Sequence, residues 1–340
     1  MKSISQYRFT TEGLLKSSRY CYGDLYGISF IPGFKKEIWK EDVLIKNDGC
    51  KSARSINLYS LCDSYLYSFV HTDSVFCGVR SYRYSKWGTS EPMEVNLDTS
   101  QVNVLLIELV ERYFRITTQS NYIDRIKFIK PTAQVSKTKG VLAVMAAGLS
   151  LSLEEMMQIF RFIYNPMFNQ NLEFNLFDYP VFTCFKESKA WINYKLFNRY
   201  PQEISILDDC HFLFLRETVD STSDQSSFMY LSDEEVNDLV MRLNAVYRHY
   251  KANGFSEVVL TVMPNPVSVV SPDYKKYNDI IRRVQNHPGL IMPMINVYDK
   301  LRSANCQVYY NSDSHWNSNG FNLWLNDFNN YLGKFGKAGK

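Results

Sequence analysis

Apolar positions fall along this chain in two kinds of pattern. Short, nearly unbroken apolar runs predict strands at "SINLYSLC" (55–62), "QVNVLLIEL" (101–109), "SEVVLTVM" (256–263) and "CQVYY" (306–310). The second is apolar almost throughout, as a strand buried on both faces should be. Helical spacing follows elsewhere. Ser232 and Glu235 form a capping-box pair, then Val236, Leu239, Val240, Leu243, Val246, Tyr247 and Tyr250 recur on one face until Gly254. "PDYKKYNDIIRRVQ" (272–285), with Pro272 early, and "GFNLWLNDFNNYL" (320–332) predict two more helices. Strand and helix alternating in this way predict an α/β fold with a parallel sheet covered on both faces.

The middle of the chain breaks that rhythm. Residues about 115–200 carry weak strand signals and many aromatics, as in "QIFRFIYNPMFNQNLEFNLFDYPVF", with Ser152 and Glu155 placed to cap a helix. This stretch is expected to be an insertion or cap within a single domain spanning 51–335, preceded by an N-terminal extension, 1–50, packed on it. A length of 340 residues with 45% apolar and 15% aromatic content suffices for a sizeable core. The net charge of +3 comes without a basic stripe, so nucleic acid is not an expected partner. Seven scattered cysteines show no C-x-x-C and no zinc spacing, so neither a disulfide framework nor a metal knuckle is expected. No run reaches the roughly 18 apolar residues of a membrane span; "VLAVMAAGLSLSL" (141–153) is nearest. No signal-peptide core is visible at the start, which leaves open a cytoplasmic protein or a targeting segment outside this sequence.

The densest candidate chemistry is "YYNSDSHWNSNG" (309–320), where Asp313 and His315 stand two residues apart. A calcium loop is disfavoured, because His315 occupies a position that needs an oxygen ligand and no Glu follows at the twelfth position. No metal site is expected. The alternative is an imidazole oriented by a carboxylate, which requires a nucleophile elsewhere. "NLYSLCDSYLYSFV" (57–70) offers one: a strand ends at Cys62, Asp63 follows, then Ser64 and a helix-compatible run. Sites of α/β sheets collect at such carboxyl-end turns. On one helix, His71 would stand two turns from Ser64, about 10 Å of rise and beyond hydrogen-bond reach. His211, His249 and His287 are expected to be structural.

"LCDSYL" resembles the Gly-Asp-Ser block of the SGNH/GDSL hydrolase superfamily. "SDSHWNSNG" resembles its last block, in the Asp-x-His-Trp form of the alginate O-acetyltransferase-like branch. "LLIELVERYF" (105–114) and "VMPNPVSVVSPDY" (262–274) are similar to further segments of that branch, so the resemblance runs from about 55 to 333. It implies a flavodoxin-like three-layer α/β/α sandwich. It also implies Ser64 as nucleophile, His315 as general base and Asp313 as its orienter, with no cofactor. Relatives of this branch acylate or deacylate extracytoplasmic polysaccharides, many beside a membrane-bound O-acyltransferase that supplies the acyl group, and many carry a membrane anchor. The implied setting is therefore the periplasm, with tethering through a segment absent from this sequence.

The chain departs from the family pattern. Cys62 replaces the usual Gly, and the block bearing an oxyanion Asn is missing, with Glu111 and Arg112 in that region. Oxyanion or substrate contacts are expected among the Tyr65 N–H, Gly88, Arg112 and Asn265. Arg112 is open to an oxyanion, a sugar or a pairing with Glu111, and Asn265 to a turn role. Trp316 and Trp87 are open to sugar stacking, Trp316 equally to packing behind His315. The expected chemistry is O-acyl, chiefly O-acetyl, transfer to a polysaccharide or hydrolysis from it. The alternatives are a degenerate domain that binds glycan or an assembly partner, and a cytoplasmic carbohydrate esterase.

Overall fold

Three of the predicted strands form the centre of one parallel sheet. The computed structural model describes residues 22–35, 55–70, 73–87, 91–119, 125–129, 179, 182–207 and 211–335. In chain order its strands are β1 (Ile56–Cys62), β2 (Val79–Lys86), β3 (Met93–Val95), β4 (Val102–Val110), β5 (Ile126–Phe128), β6 (Ile204–Ile206), β7 (Leu213–Leu215), β8 (Glu257–Met263) and β9 (Met294–Ile295). Five of them pair in the order β2-β1-β4-β8-β9, every pairing parallel. β3 with β5 and β6 with β7 make two small separate ladders.

The central strands are apolar because both their faces are covered. β1 is buried at every position, and β4 and β8 at all but their first. The Asp233–Ala252 and Ser318–Leu332 helices, with shorter ones, flank this sheet, an arrangement consistent with three α/β/α layers. Each Val, Leu or Ile so buried contributes about 1.5–3 kcal/mol. The predicted capping box is present: Ser232 Oγ accepts from the Glu235 N–H, and Glu235 Oε2 accepts from the Ser232 N–H. Asn317 caps the last helix by accepting from the Asn319 and Gly320 N–H groups.

Counted among the sheet's own strands, the order is 2-1-3-4-5, so the chain reverses its winding direction between β1 and β4. Doubly wound sheets open a crevice at that point, beyond the strands' carboxyl ends. β1 delivers Asp63 and Ser64 to it, and β4 delivers Glu111 and Arg112.

Three local expectations change. "CQVYY" is not a strand: Tyr309 makes one isolated bridge with Trp316, and the fifth strand is the two-residue β9. The backbone there serves its own loop, with Asn317 N–H donating to Val308 O at 2.9 Å and Gln307 Nε2 to Tyr309 O at 2.6 Å. The helix expected over 272–285 covers only Ile280–Gln285. Asn278 donates from its backbone to Ser227 O and from its side chain to Ser226 O and Met229 O, and Asp279 takes a left-handed φ of 54°. Those tertiary bonds replace the helical ladder. β2, a largely uncovered edge strand, is additional to the expected elements.

Cys77 is disulfide-bonded, while Cys62 and Cys306 are free thiols. Among the described residues no helix is long and apolar enough to cross a membrane. The chain divides into two compact units, 1–19 with 130–189 and 20–129 with 190–340. The second holds the sheet. Of the first, only 179 and 182–189 are described, so the Ser152/Glu155 cap, 141–153 and most of the aromatic stretch lie outside the described residues.

Candidate active site

β1 ends at Cys62, and Asp63 continues extended before a single helical turn, Ser64–Tyr67. Cys62 is fully buried and its backbone φ is not positive, so this turn does not need the glycine of the family pattern. Asp63 is held from two sides. Its N–H donates to Glu108 Oε2 at 2.8 Å, and its Oδ1 accepts from the Tyr65 N–H at 2.8 Å. Glu108 sits on β4 with no exposure. Burial, then the neighbouring Asp63 charge, raises its carboxyl well above the usual carboxylate range.

The turn presents Ser64 Oγ 2.6 Å from His315 Nε2. On its other side the ring places Nδ1 2.6 Å from Asp313 Oδ1, which also accepts from the His315 N–H at 2.9 Å. A carboxylate only accepts, so Nδ1 carries the proton and Nε2 is left to accept from the serine hydroxyl. Burial works against a charged ring, yet the Asp313 carboxylate, and after it Asp24, raise the His315 pKa above its ordinary value. Burial likewise disfavours the Asp313 charge, but His315 outweighs it and lowers the carboxyl. The three predicted residues, 251 positions apart at the extremes, form one hydrogen-bonded relay.

The loop bearing His315 is not a strand end. It is closed by the Tyr309–Trp316 bridge and pinned from below. Trp316 is fully buried; its Nε1 donates to Tyr65 O at 3.0 Å and its ring packs against Tyr65, Phe69, Phe321 and Trp324. It is therefore core and offers no sugar-stacking face. Trp87 is half-buried and donates to Glu108 O at 2.6 Å. Tyr65 Oη donates to Ser314 O, and Tyr309 Oη to Pro264 O at 2.8 Å.

The other expected contacts separate. The Tyr65 N–H is committed to Asp63. Asn265 is buried, with its amide donating to Ser227 Oγ at 3.0 Å and Gln225 O at 3.3 Å, so it fixes the turn after β8. Gly88 lies outside the described residues. Arg112 does not pair with Glu111, whose Oε2 accepts from Asn265 N–H at 2.8 Å and Ser268 Oγ at 3.3 Å. Arg112 is 6% exposed, its guanidinium lies 5.7 Å from the Tyr65 ring centre, and its Nε and Nη1 have no hydrogen-bond partner. Burial opposes its charge, but Tyr65, Asp63, Tyr113 and Asp24 raise its pKa further.

Two residues escape a reading of the sequence. Glu108 is one, hidden inside an apolar run. The other is Asp24, whose Oδ2 lies 3.6 Å from His315 Nδ1. Its only local signal is the "YGDLYG" pattern, in which Gly23 and Gly27 both take positive φ. Asp24, Asp313 and His315 each bring a ligand atom within 4.8 Å of the others, the size of a small metal site. Asp313 spends Oδ1 on His315 and Oδ2 on the Asp24 N–H, which commits both oxygens to hydrogen bonds.

Comparison of the chain with protein-family models, with curated proteins and with solved structures gives no match.

Proposed function

We propose that this protein is a serine-dependent acyl-transfer enzyme working through an acyl-enzyme on Ser64. The observation that carries the reading is the unbroken Ser64–His315–Asp313 relay, 2.6 Å at each step, at the carboxyl edge of a parallel sheet. Ser64 Oγ attacks an ester carbonyl as its proton passes to His315 Nε2. Asp313 offsets the imidazolium charge. The departing alcohol takes the proton from Nε2, leaving acyl-Ser64. A sugar hydroxyl or water then attacks, loses its proton to His315, and Ser64 regains it. Arg112 is the donor proposed for the tetrahedral oxyanion, because its buried guanidinium has unpartnered N–H groups while Tyr65 N–H and Asn265 are engaged.

The finer assignment rests on resemblance. The Asp-Ser and Asp-x-His-Trp blocks support an SGNH-type, flavodoxin-like domain of the alginate O-acetyltransferase-like branch, with the 2-1-3-4-5 strand order agreeing. On that reading the group moved is acetyl, the other substrate is a polysaccharide, and a membrane-bound O-acyltransferase is the acyl source. The disulfide at Cys77 supports an oxidising, extracytoplasmic setting. A second reading, a non-catalytic glycan-binding domain, draws on the engaged Tyr65 N–H.

One experiment separates them. The enzyme reading expects a fluorophosphonate probe to label Ser64, and Ser64→Ala to lower turnover of an activated acetyl ester by about a million-fold with an unchanged circular dichroism spectrum. A folded Ser64→Ala variant that keeps its activity overturns the nucleophile. No labelling alongside intact oligosaccharide binding favours the binding module.

A further inference from the structure

The loop that carries His315 is held by a segment that enters the site from the far end of the sequence. Residues 22–25 lie along 312–314 and exchange hydrogen bonds with each residue in turn. Ser312 Oγ donates to Tyr22 O at 2.5 Å, and Leu25 N–H to Ser312 O at 3.2 Å. Asp24 N–H donates to Asp313 Oδ2 at 2.8 Å. Ser314 donates to the Asp24 carboxylate twice, from its N–H at 2.7 Å and from Oγ at 2.5 Å. Gly23 makes this approach possible, since a Cβ there would lie 2.0 Å from Ser312 O.

We infer that Asp24 is a positioning residue of the relay, a second carboxylate that fixes Asp313 through its N–H and supports the His315 imidazolium through its charge. This rests on the acyl-transfer reading for its purpose, though not for its geometry. The N–H bond to Oδ2 turns Asp313 so that Oδ1 faces Nδ1. The side chain, 3.6 Å from Nδ1, stands where a second negative charge favours protonation of the ring. The groups facing His315 are Asp313 from its own loop, Asp24 from the N-terminal segment, Ser64 and the neutral Tyr65 phenol from the turn after β1, and Arg112 from the Glu111–Gln119 helix, which opposes the two carboxylates. Removing the Asp24 charge while keeping its shape therefore leaves Arg112 less opposed and lowers the ring's proton affinity.

The test is a proton NMR titration of His315 in the full chain carrying Ser64→Ala, with and without Asp24→Asn. Asparagine keeps the backbone donor and an acceptor for Ser314 N–H, so a purely structural Asp24 leaves the ring unmoved. The expected result is a fall of about one unit in the imidazole pKa, and, with Ser64 restored, an acid limb of kcat/KM shifted to lower pH together with a lower kcat. An unchanged imidazole pKa in folded Asp24→Asn overturns the inference. Should that variant not fold, the Asp24 carboxyl carbon resonance in the Ser64→Ala chain decides. An inflection at the His315 pKa supports the coupling, and a flat trace through it overturns it. Neither titration needs a substrate, so an enzyme that fails the fluorophosphonate test can still show the coupling, and the two proposals fail separately.

Discussion

Ser64 and His315 meet at 2.6 Å, but the two sides of that contact are built differently. The serine side belongs to the sheet. It follows the β1 strand closely, its preceding residue is bonded to Glu108 on the adjacent strand, and Cys62, Tyr65 and Leu66 beside it are buried. The imidazole side is an irregular loop with a single bridge, held by Trp316 beneath it and by residues 22–25, which lie about 290 positions away in sequence. The first side is rigid because strands specify it; the second is in place because a remote segment closes over it. A relay of this kind is as strong as the weaker of its two supports.

The largest effect tests whether the two sides form one unit. His315→Ala should lower turnover about as far as Ser64→Ala, roughly a million-fold, and the double variant should be no worse than either. Measured kcat values that multiply instead of saturating would show two independent contributions and break the picture of a single relay.

A smaller effect should distinguish the supports. Gly23 takes a φ of +104° against the Ser312 backbone, so Gly23→Ala forces residues 22–25 away from the loop. The expected cost is about 1–3 kcal/mol of stability and a fall in fluorophosphonate labelling rate, while amide exchange in β1 and β4 stays protected. Loss of protection in those strands would mean that the N-terminal segment supports the sheet as well as the loop.

The same contrast explains what could be read from the sequence. β1, β4 and β8 were legible because strands buried on both faces must be apolar along their length, and the Asp233–Ala252 helix because its capping box and its periodicity agree. Ser64, Asp313 and His315 were legible because their chemistry is local to short motifs. β9 was not, since two residues carry no period. "CQVYY" has strand composition, yet its backbone is taken up by its own loop. Asp24 was beyond reach because its partners lie in another part of the chain, and Glu108 because a single acid inside "VLLIEL" looks like an edge residue until the neighbouring strand supplies the Asp63 N–H.

The smallest effect concerns the sheet side alone. Glu111 opens the helix after β4 and bonds the Asn265 N–H after β8, tying two carboxyl ends together. Burial lifts its carboxyl from 4.5 to about 7, against the hydrogen bonds from Asn265 N–H and Ser268 Oγ. The folded state therefore holds this proton more tightly than the unfolded chain, whose Glu111 ionises near 4.5. Between those two values the unfolded state binds fewer protons, so this group's contribution to stability falls as pH rises and levels off above about 7. Glu111→Gln keeps an acceptor for Asn265 and cannot ionise. Denaturant unfolding from pH 4.5 to 7.5 should show wild type losing roughly 1–3 kcal/mol relative to Glu111→Gln as pH increases. Parallel curves for the two proteins would mean that Glu111 is already ionised in the fold, and that the sheet edge beside Ser64 holds a buried charge where a neutral acid is expected.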